Sequence, residues 1–211
     1  MDSPIHIIKI DQQNLNIRTD ETLRYLGYKK ELIKESDISM IDEFTDHIRI
    51  HMSPRGCYRR FSLEVAGDGN ITMPYGNIFS KGLTKNLYGC EEIIFMAVTL
   101  GIGFDRALKK MSLTSITEAA CYQSIGGSAV EALCEHVVAE INRELAAEDK
   151  KLRPRFSPGY SDFTLDNQRD IFRCLNPEKH IGVTLMDTLI MAPEKSVTAV
   201  IGIEKIEKVI K

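Results

Sequence analysis

Arg155, Pro158, Gly159 and Tyr160 come nearest, in type and spacing, to a ligand-binding device in this chain. The dipeptide Pro158-Gly159 predicts a type II turn. Proline pre-sets φ at the first central position, and glycine supplies the positive φ required at the second. Such a turn clears side-chain bulk from the backbone beside Gly159 and lets a ligand approach it closely. On its shoulders stand Arg155, a guanidinium suited to gripping a carboxylate or phosphate, and Tyr160, a phenol with a flat face and a polar tip. Taken alone, the pattern R-x-x-x-G-Y arises often by chance, and an ordinary loop with a solvated Arg155 is the simpler account.

Other chemistry fares worse. Val98-Thr99-Leu100-Gly101-Ile102-Gly103-Phe104 has the outline of a nucleotide-binding strand, glycine turn and helix. Arg106 stands where the third glycine belongs, however, and no acid follows at the usual distance, so a tight strand-to-helix turn is the better reading. Cys134 and His136 are two apart on a predicted helix and point to different sides, which disfavours a shared metal ion. His47 and His51 have helical i, i+4 spacing but no evident third ligand. Ser112, Ser124 and Ser128 belong to no recognisable His/Asp constellation. No C-x-x-x-C-x-x-C cluster and no D-x-H-x-x-G motif is present. The sequence therefore nominates no catalytic acid, base or nucleophile and no metal ligand.

The elements that must position these residues emerge from periodicity. Residues 5–10 read as a strand, residues 20–25 as a short helix capped by Asp20, and Ser36 as the cap of a helix carrying Ile38, Ile41, Phe44, Ile48 and Met52. Residues 58–65 alternate and turn through Gly67-Asp68-Gly69-Asn70 toward residues 71–73, as a hairpin does. Residues 83–87 read as part of a helix. Residues 92–100 form a continuous apolar run, the pattern of a strand buried on both faces. Residues 104–111 and 114–147 read as helices, the second with an apolar stripe through Val130, Leu133, Val137, Ile141 and Leu145. A helix over residues 165–175 precedes two alternating segments, 183–191 and 197–203, which predict a hairpin about Pro193. The irregular order of strands and helices predicts an α+β fold, one domain over residues 1–211 with a largely antiparallel twisted sheet and flanking helices.

Composition bounds the class. The chain has 211 residues, 43% hydrophobic and 27% charged, which is ordinary for a globular protein long enough to bury a sizeable core. The net charge of −3, with both signs interspersed, gives no reason to expect nucleic acid or an anionic membrane as partner. Five scattered cysteines fit reduced thiols. The N-terminus has no secretion signal, and no apolar run approaches the roughly 20 residues of a membrane span. A cytoplasmic location is expected.

The residues beyond the Pro158-Gly159 turn give it meaning. After the helix at residues 165–175 come Asn176-Pro177, then Ile181-Gly182-Val183-Thr184-Leu185-Met186-Asp187, then Met191-Ala192-Pro193 and Ser196-Val197-Thr198. This order resembles the reactivation (activation) domain of cobalamin-dependent methionine synthase, which binds S-adenosylmethionine (AdoMet). That domain carries an R-x-x-P-G-Y turn, a helix, an I/T-G-hydrophobic-x-L-T/M-[ED] strand, a Met-x-Pro turn and a strand containing S-V-S. The resemblance spans residues 88–203 and is densest over 131–203.

The resemblance implies an AdoMet-binding methyltransferase component that supports reductive methylation of cob(II)alamin. Cobalamin would be carried by a partner corrinoid protein, with electrons from a flavodoxin- or ferredoxin-type donor. By position, Arg155 pairs with the methionyl carboxylate, Ser157 and Gly159 offer backbone groups, and Tyr160 faces the cofactor side. Glu131 matches a family glutamate on the long helix. It reads either as a carboxylate drawing the ligand's ammonium or sulfonium, or as a solvated helix residue. Asp149 is the candidate for a second family acid. Nothing in the chain matches a zinc–homocysteine or folate site, so the resemblance implies the stand-alone subunit of a split enzyme. Two other roles stay open: a non-catalytic docking module for a corrinoid protein, and a reactivation factor for a different corrinoid methyltransferase. Three departures are visible. Ser161-Asp162-Phe163-Thr164 replace a family P-A-C-P, an early family aspartate has no clear counterpart, and a tyrosine-bearing segment is not matched beyond residue 203.

Overall fold

A computed structural model describes residues 3–206. In chain order, β1 (His6–Lys9), α1 (Thr19–Tyr25), α2 (Glu35–Arg49) and β2 (Arg55–Ser62) lead into three short strands, β3 (Glu64–Val65), β4 (Asn70–Met73) and β5 (Gly76–Phe79). Next come α3 (Lys81–Leu87), β6 (Glu92–Thr99), α4 (Ile102–Ser112), α5 (Ile116–Ala146) and β7 (Lys150–Leu152). The chain continues with α6 (Asn167–Leu175), α7 (Pro177–Ile181), β8 (Thr184–Leu185), β9 (Met191–Ala192) and β10 (Ser196–Lys205). The main sheet has the order β1-β2-β6-β10-β7, and every pairing in it is antiparallel. The expected α+β class, with a curled antiparallel sheet and flanking helices, is what the structure shows.

The central strand β6 explains the layering. Successive side chains of a strand point to opposite faces. Ile94, Met96 and Val98 pack under α1, α2, α4 and α5, together with Ala199, Ile201 and Ile203 of β10. Ile93, Phe95 and Ala97 pack on the other face with Cys57, Phe61, Val200, Leu83, Ile171 and Ile181, under α3, α6 and α7. The apolar run of residues 93–98 is therefore two alternating stripes, each wholly buried.

Several local expectations change. Residue 36 lies inside α2; the helix starts from Lys34, whose backbone N–H donates to the Asp37 carboxylate at 2.9 Å. Asp20 lies in the first turn of α1 rather than at its cap, and pairs with Arg18 at 2.8 Å. The glycine turn after β6 joins strand to helix within two residues, as the non-nucleotide reading expected. The larger correction concerns residues 183–203. The segment before Pro193 does not pair with the strand after it. It folds back as its own small hairpin, β8 with β9, while β10 runs between β6 and β7 in the main sheet.

Candidate ligand-binding site

The path of β10 creates the site. On its outer edge β10 is covered by β7 and then by the segment after it: Arg153 N–H donates to Gly202 O at 2.8 Å, and Phe156 and Val200 exchange two bonds of 2.9 Å. At Ser157 the chain turns away. Residues 196–198 are left with no strand on that edge among the described residues, and a cleft of about 560 Å³ opens there. Its walls come from four places: Glu131 of α5; Arg155, Ser157 and Pro158; Leu165 and Gln168 at the start of α6; and the β8–β9 hairpin running into β10. Small-molecule sites commonly enclose roughly 300–1,000 Å³, so the size is suitable.

Arg155 and Glu131, 24 residues apart in sequence, meet in this cleft. The guanidinium Nη2 donates to Glu131 Oε2 at 2.6 Å. Both side chains remain partly accessible, at 26% and 36% of their full surface, so a ligand can reach them. Burial works against charge on Arg155, but the hydrogen bond and charge of Glu131 oppose it, and the guanidinium stays above its ordinary range. Burial pushes the Cys134 thiol up to about 12, so it carries no charge at neutral pH. Glu131 is then the anion opposite Arg155. Of the two readings the sequence left open for Glu131, the structure adds only that it is paired with Arg155 while remaining partly exposed.

The predicted turn is present. Tyr160 N–H donates to Ser157 O at 3.1 Å, closing a four-residue turn, and Gly159 has φ +89°. That φ favours glycine strongly over any residue with a Cβ. Gly159 N–H donates onward to Phe163 O at 2.7 Å, which fixes the loop. Tyr160 is mostly exposed at 67%, its ring edge-on to Phe156 with centroids 5.2 Å apart. Neither Tyr160 nor Gly159 lines the cleft itself; Ser157 and Pro158 are the members of the turn that do.

The floor adds residues that the sequence does not announce. Gln168 is buried, donates from Nε2 to Leu189 O at 3.1 Å and accepts at Oε1 from the Thr198 hydroxyl at 3.2 Å. A primary amide has two donors and two acceptor lone pairs, so Gln168 keeps one of each beyond these bonds. Val200 turns its backbone to the edge of β10 where Phe156 covers it; by strand alternation Thr198 N–H and C=O point to the same edge, which beyond Ser157 faces the cleft. Leu189 has φ +65°, unusual for a residue with a side chain, and lines the wall. The Ser196-Val197-Thr198 motif is the only sequence signal for this floor. Nothing in the sequence singles out Gln168 or Leu189.

Asp149 is not brought to the cleft. It lies past the end of α5, 18 residues beyond Glu131, and the helix alone carries the chain roughly 22 Å away from Glu131 before it. Its backbone has φ +54°, and its carbonyl accepts from Ile206 N–H at 2.8 Å. Among the described residues no three His, Cys, Asp or Glu side chains form a group that would hold a metal ion, and no helix is long and apolar enough to cross a membrane.

The architecture defines the protein as one with the fold of a methionine synthase reactivation domain. The comparison is with the solved crystal structure of the MetH reactivation domain bound to AdoHcy. The two agree with a TM-score of 0.72 over 97% of this chain and 80% of that one, at 15% sequence identity. No protein-family model matches the sequence, and no curated protein does.

Proposed function

We propose that this chain binds AdoMet in the cleft at the open edge of β10 and serves the reductive methylation of cob(II)alamin held by a partner protein, as the AdoMet-binding subunit of a split cobalamin-dependent methionine synthase. The carrying observation is the Glu131–Arg155 pair beside the Pro158-Gly159 turn. The amino-acid end of AdoMet bears one carboxylate and one ammonium. Opening the pair offers a cation to the first and an anion to the second, so the charges lost inside the protein are regained with the ligand. The fold likeness supports the reading, since the similar domain was solved with AdoHcy, the product of methyl donation.

The chain's own part is positioning. Arg155 and Glu131 anchor the amino-acid end, the backbone at Ser157 and Pro158 and the Gln168–Thr198 floor take the polar remainder, and Tyr160 stands beyond the turn. Holding the sulfonium methyl in one orientation at the mouth lowers the entropic part of the transfer barrier, and no general acid or base is needed. A partner's cobalamin, reduced by one electron from a flavodoxin- or ferredoxin-type donor, would supply the nucleophile that takes the methyl group, the sulfur keeping the electron pair of its broken bond as AdoHcy. This reading places the protein in the cytoplasm.

Calorimetric titration with AdoMet and AdoHcy tests the binding step. Saturable one-to-one heats that weaken in Arg155→Ala are expected; no heat with either ligand would end the proposal. The second step is read by the loss of cob(II)alamin absorbance when the protein is mixed with its cobalamin partner, AdoMet and a low-potential donor. Methionine formation from homocysteine and methyl-folate by this chain alone would overturn the split-subunit reading.

A further inference from the structure

The segment Ser161-Asp162-Phe163-Thr164, where the sequence departs from the pattern it otherwise resembles, has a definite job in the structure. Asp162 accepts three hydrogen bonds from the start of α3: from the Ser80 hydroxyl at 2.6 Å, Lys81 N–H at 2.6 Å and Gly82 N–H at 3.0 Å. The first four N–H groups of a helix have no partner within it, so a carboxylate there acts as a cap supplied from another part of the chain. Ser80 completes the arrangement by also accepting from Leu83 N–H at 3.1 Å. The contact is close. A Cβ on Gly82 would lie 2.7 Å from Ser161 Oγ and 2.9 Å from Asp162 Oδ1. A second link joins the same two regions: the Tyr75 hydroxyl, between β4 and β5, donates to Asn167 Oδ1 at 2.9 Å at the start of α6. Behind both, Phe163 is buried against Phe156. The Ser80 hydroxyl, and then the Gly82 and Lys81 amides, hold the Asp162 carboxyl below its ordinary range.

We infer that the β4–β5 hairpin and α3 form a brace for the turn at Gly159, and that Asp162 is the residue through which the brace sets the turn's position. The inference rests on the AdoMet reading of the cleft and assigns a role to residues 70–87, which that reading leaves idle. Asp162 touches no ligand in this scheme; it is a positioning residue. On its leading side the turn is tied to the sheet by the Phe156–Val200 bonds; beyond Ser157 the hydrogen bonds within residues 157–163 are internal, from Gly159 to Phe163, Tyr160 to Ser157 and Phe163 to Tyr160. Without Asp162 those internal bonds would keep the loop's shape, but the trailing side of the turn beside the cleft would lose its outside anchor.

Two measurements on the full chain decide the matter. In the ligand-free protein, hydrogen exchange at the Gly159, Tyr160 and Phe163 amides should be slow in the wild type and markedly faster in Asp162→Ala, with α5 amides unchanged. Titration should show the AdoMet Kd rising about ten-fold in Asp162→Ala, the scale of a lost helix cap. Asp162→Asn, which keeps one acceptor oxygen but loses the bond from Lys81 N–H, should fall between. If Asp162→Ala does not fold, Asp162→Asn and Tyr75→Phe carry the same pair of measurements. Unchanged exchange at the three amides would overturn the brace whatever AdoMet does. Faster exchange with unchanged AdoMet affinity would overturn the positioning role. A wild type that fails to bind AdoMet would defeat the functional reading alone, and the exchange rates would still decide whether the brace exists.

Discussion

At the scale of the residue, Arg155 carries the most direct prediction. Arg155→Ala should weaken AdoMet binding by roughly 1.5–3 kcal/mol, the range for a hydrogen bond to a charged group, with little change in melting temperature, since Glu131 is accessible enough to be hydrated in its absence. Calorimetry and thermal melts on the same preparation check both halves. The turn gives a second test. Gly159→Val places a β-branched residue at φ +89° and should cost about 1–3 kcal/mol of stability as well as binding. Ser157→Ala should be near neutral on both counts, because the turn uses the Ser157 carbonyl rather than its hydroxyl. Normal binding by Gly159→Val with loss in Ser157→Ala would mean that the serine hydroxyl reads the ligand. The Pro158-Gly159 turn and its neighbour Arg155 were legible in the sequence because their pattern is local, whereas Glu131 was reached only through the resemblance, since a carboxylate on a long helix announces nothing by itself. Gln168 and Leu189 were not legible. An amide on a helix and a leucine in a loop acquire meaning only from the groups that tertiary packing places opposite them. Asp149 was misplaced for the converse reason, a residue type matched without the geometry to carry it.

At the scale of the element, the long helix α5 offers a matched pair. A Cβ on Gly127 would meet Tyr25 at 3.4 Å, ordinary contact, whereas one on Gly126 would lie 2.4 Å from Phe104 Cζ. Gly127→Ala should therefore gain about 0.8–1.0 kcal/mol of helix propensity and melt about 2–4 °C higher. Gly126→Ala should melt lower than wild type despite the same gain, and calorimetric melts of both check the contrast. Elsewhere Arg60 binds Glu92 and Glu148 at 2.7 Å each, and Lys150 joins both carboxylates at 2.7 and 3.0 Å. Arg60 first, then Lys150, lower the pKa of both acids, that of Glu148 to about 2. A carboxylate whose folded pKa is depressed contributes stability that is fully present above its unfolded value, about 4.3 for glutamate, and lost as pH falls toward the folded one. Glu148→Gln should accordingly lower the melting temperature at pH 7 and leave it nearly unchanged at pH 2, as melts across that interval would show. The β8–β9 hairpin was hidden in the sequence because its turn, Asp187-Thr188-Leu189, lacks the glycine that announces such turns. Leucine itself adopts the left-handed conformation, and the alternation on either side reads as one continuous strand.

At the scale of the whole molecule, the α+β class was legible from element order, and the buried central strand from its unbroken apolar run. The strand order was not, because antiparallel partners are chosen by long-range packing that no local window contains. The shared strand has a consequence for how the protein comes apart. β6 gives alternate side chains to both cores, and β10 does the same, so loss of either helical layer strips one face of the two strands on which the other layer rests. The layer that carries the ligand loop and the layer that carries Glu131 are therefore expected to unfold together. Unfolding in urea should be a single transition, with coincident midpoints by far-ultraviolet circular dichroism and by tyrosine emission, a probe available because the chain has seven tyrosines and no tryptophan to mask them. A ligand bound in the cleft should then raise that one midpoint for the entire chain. Protection would reach α2, which contributes no residue to the cleft, through cooperativity rather than contact.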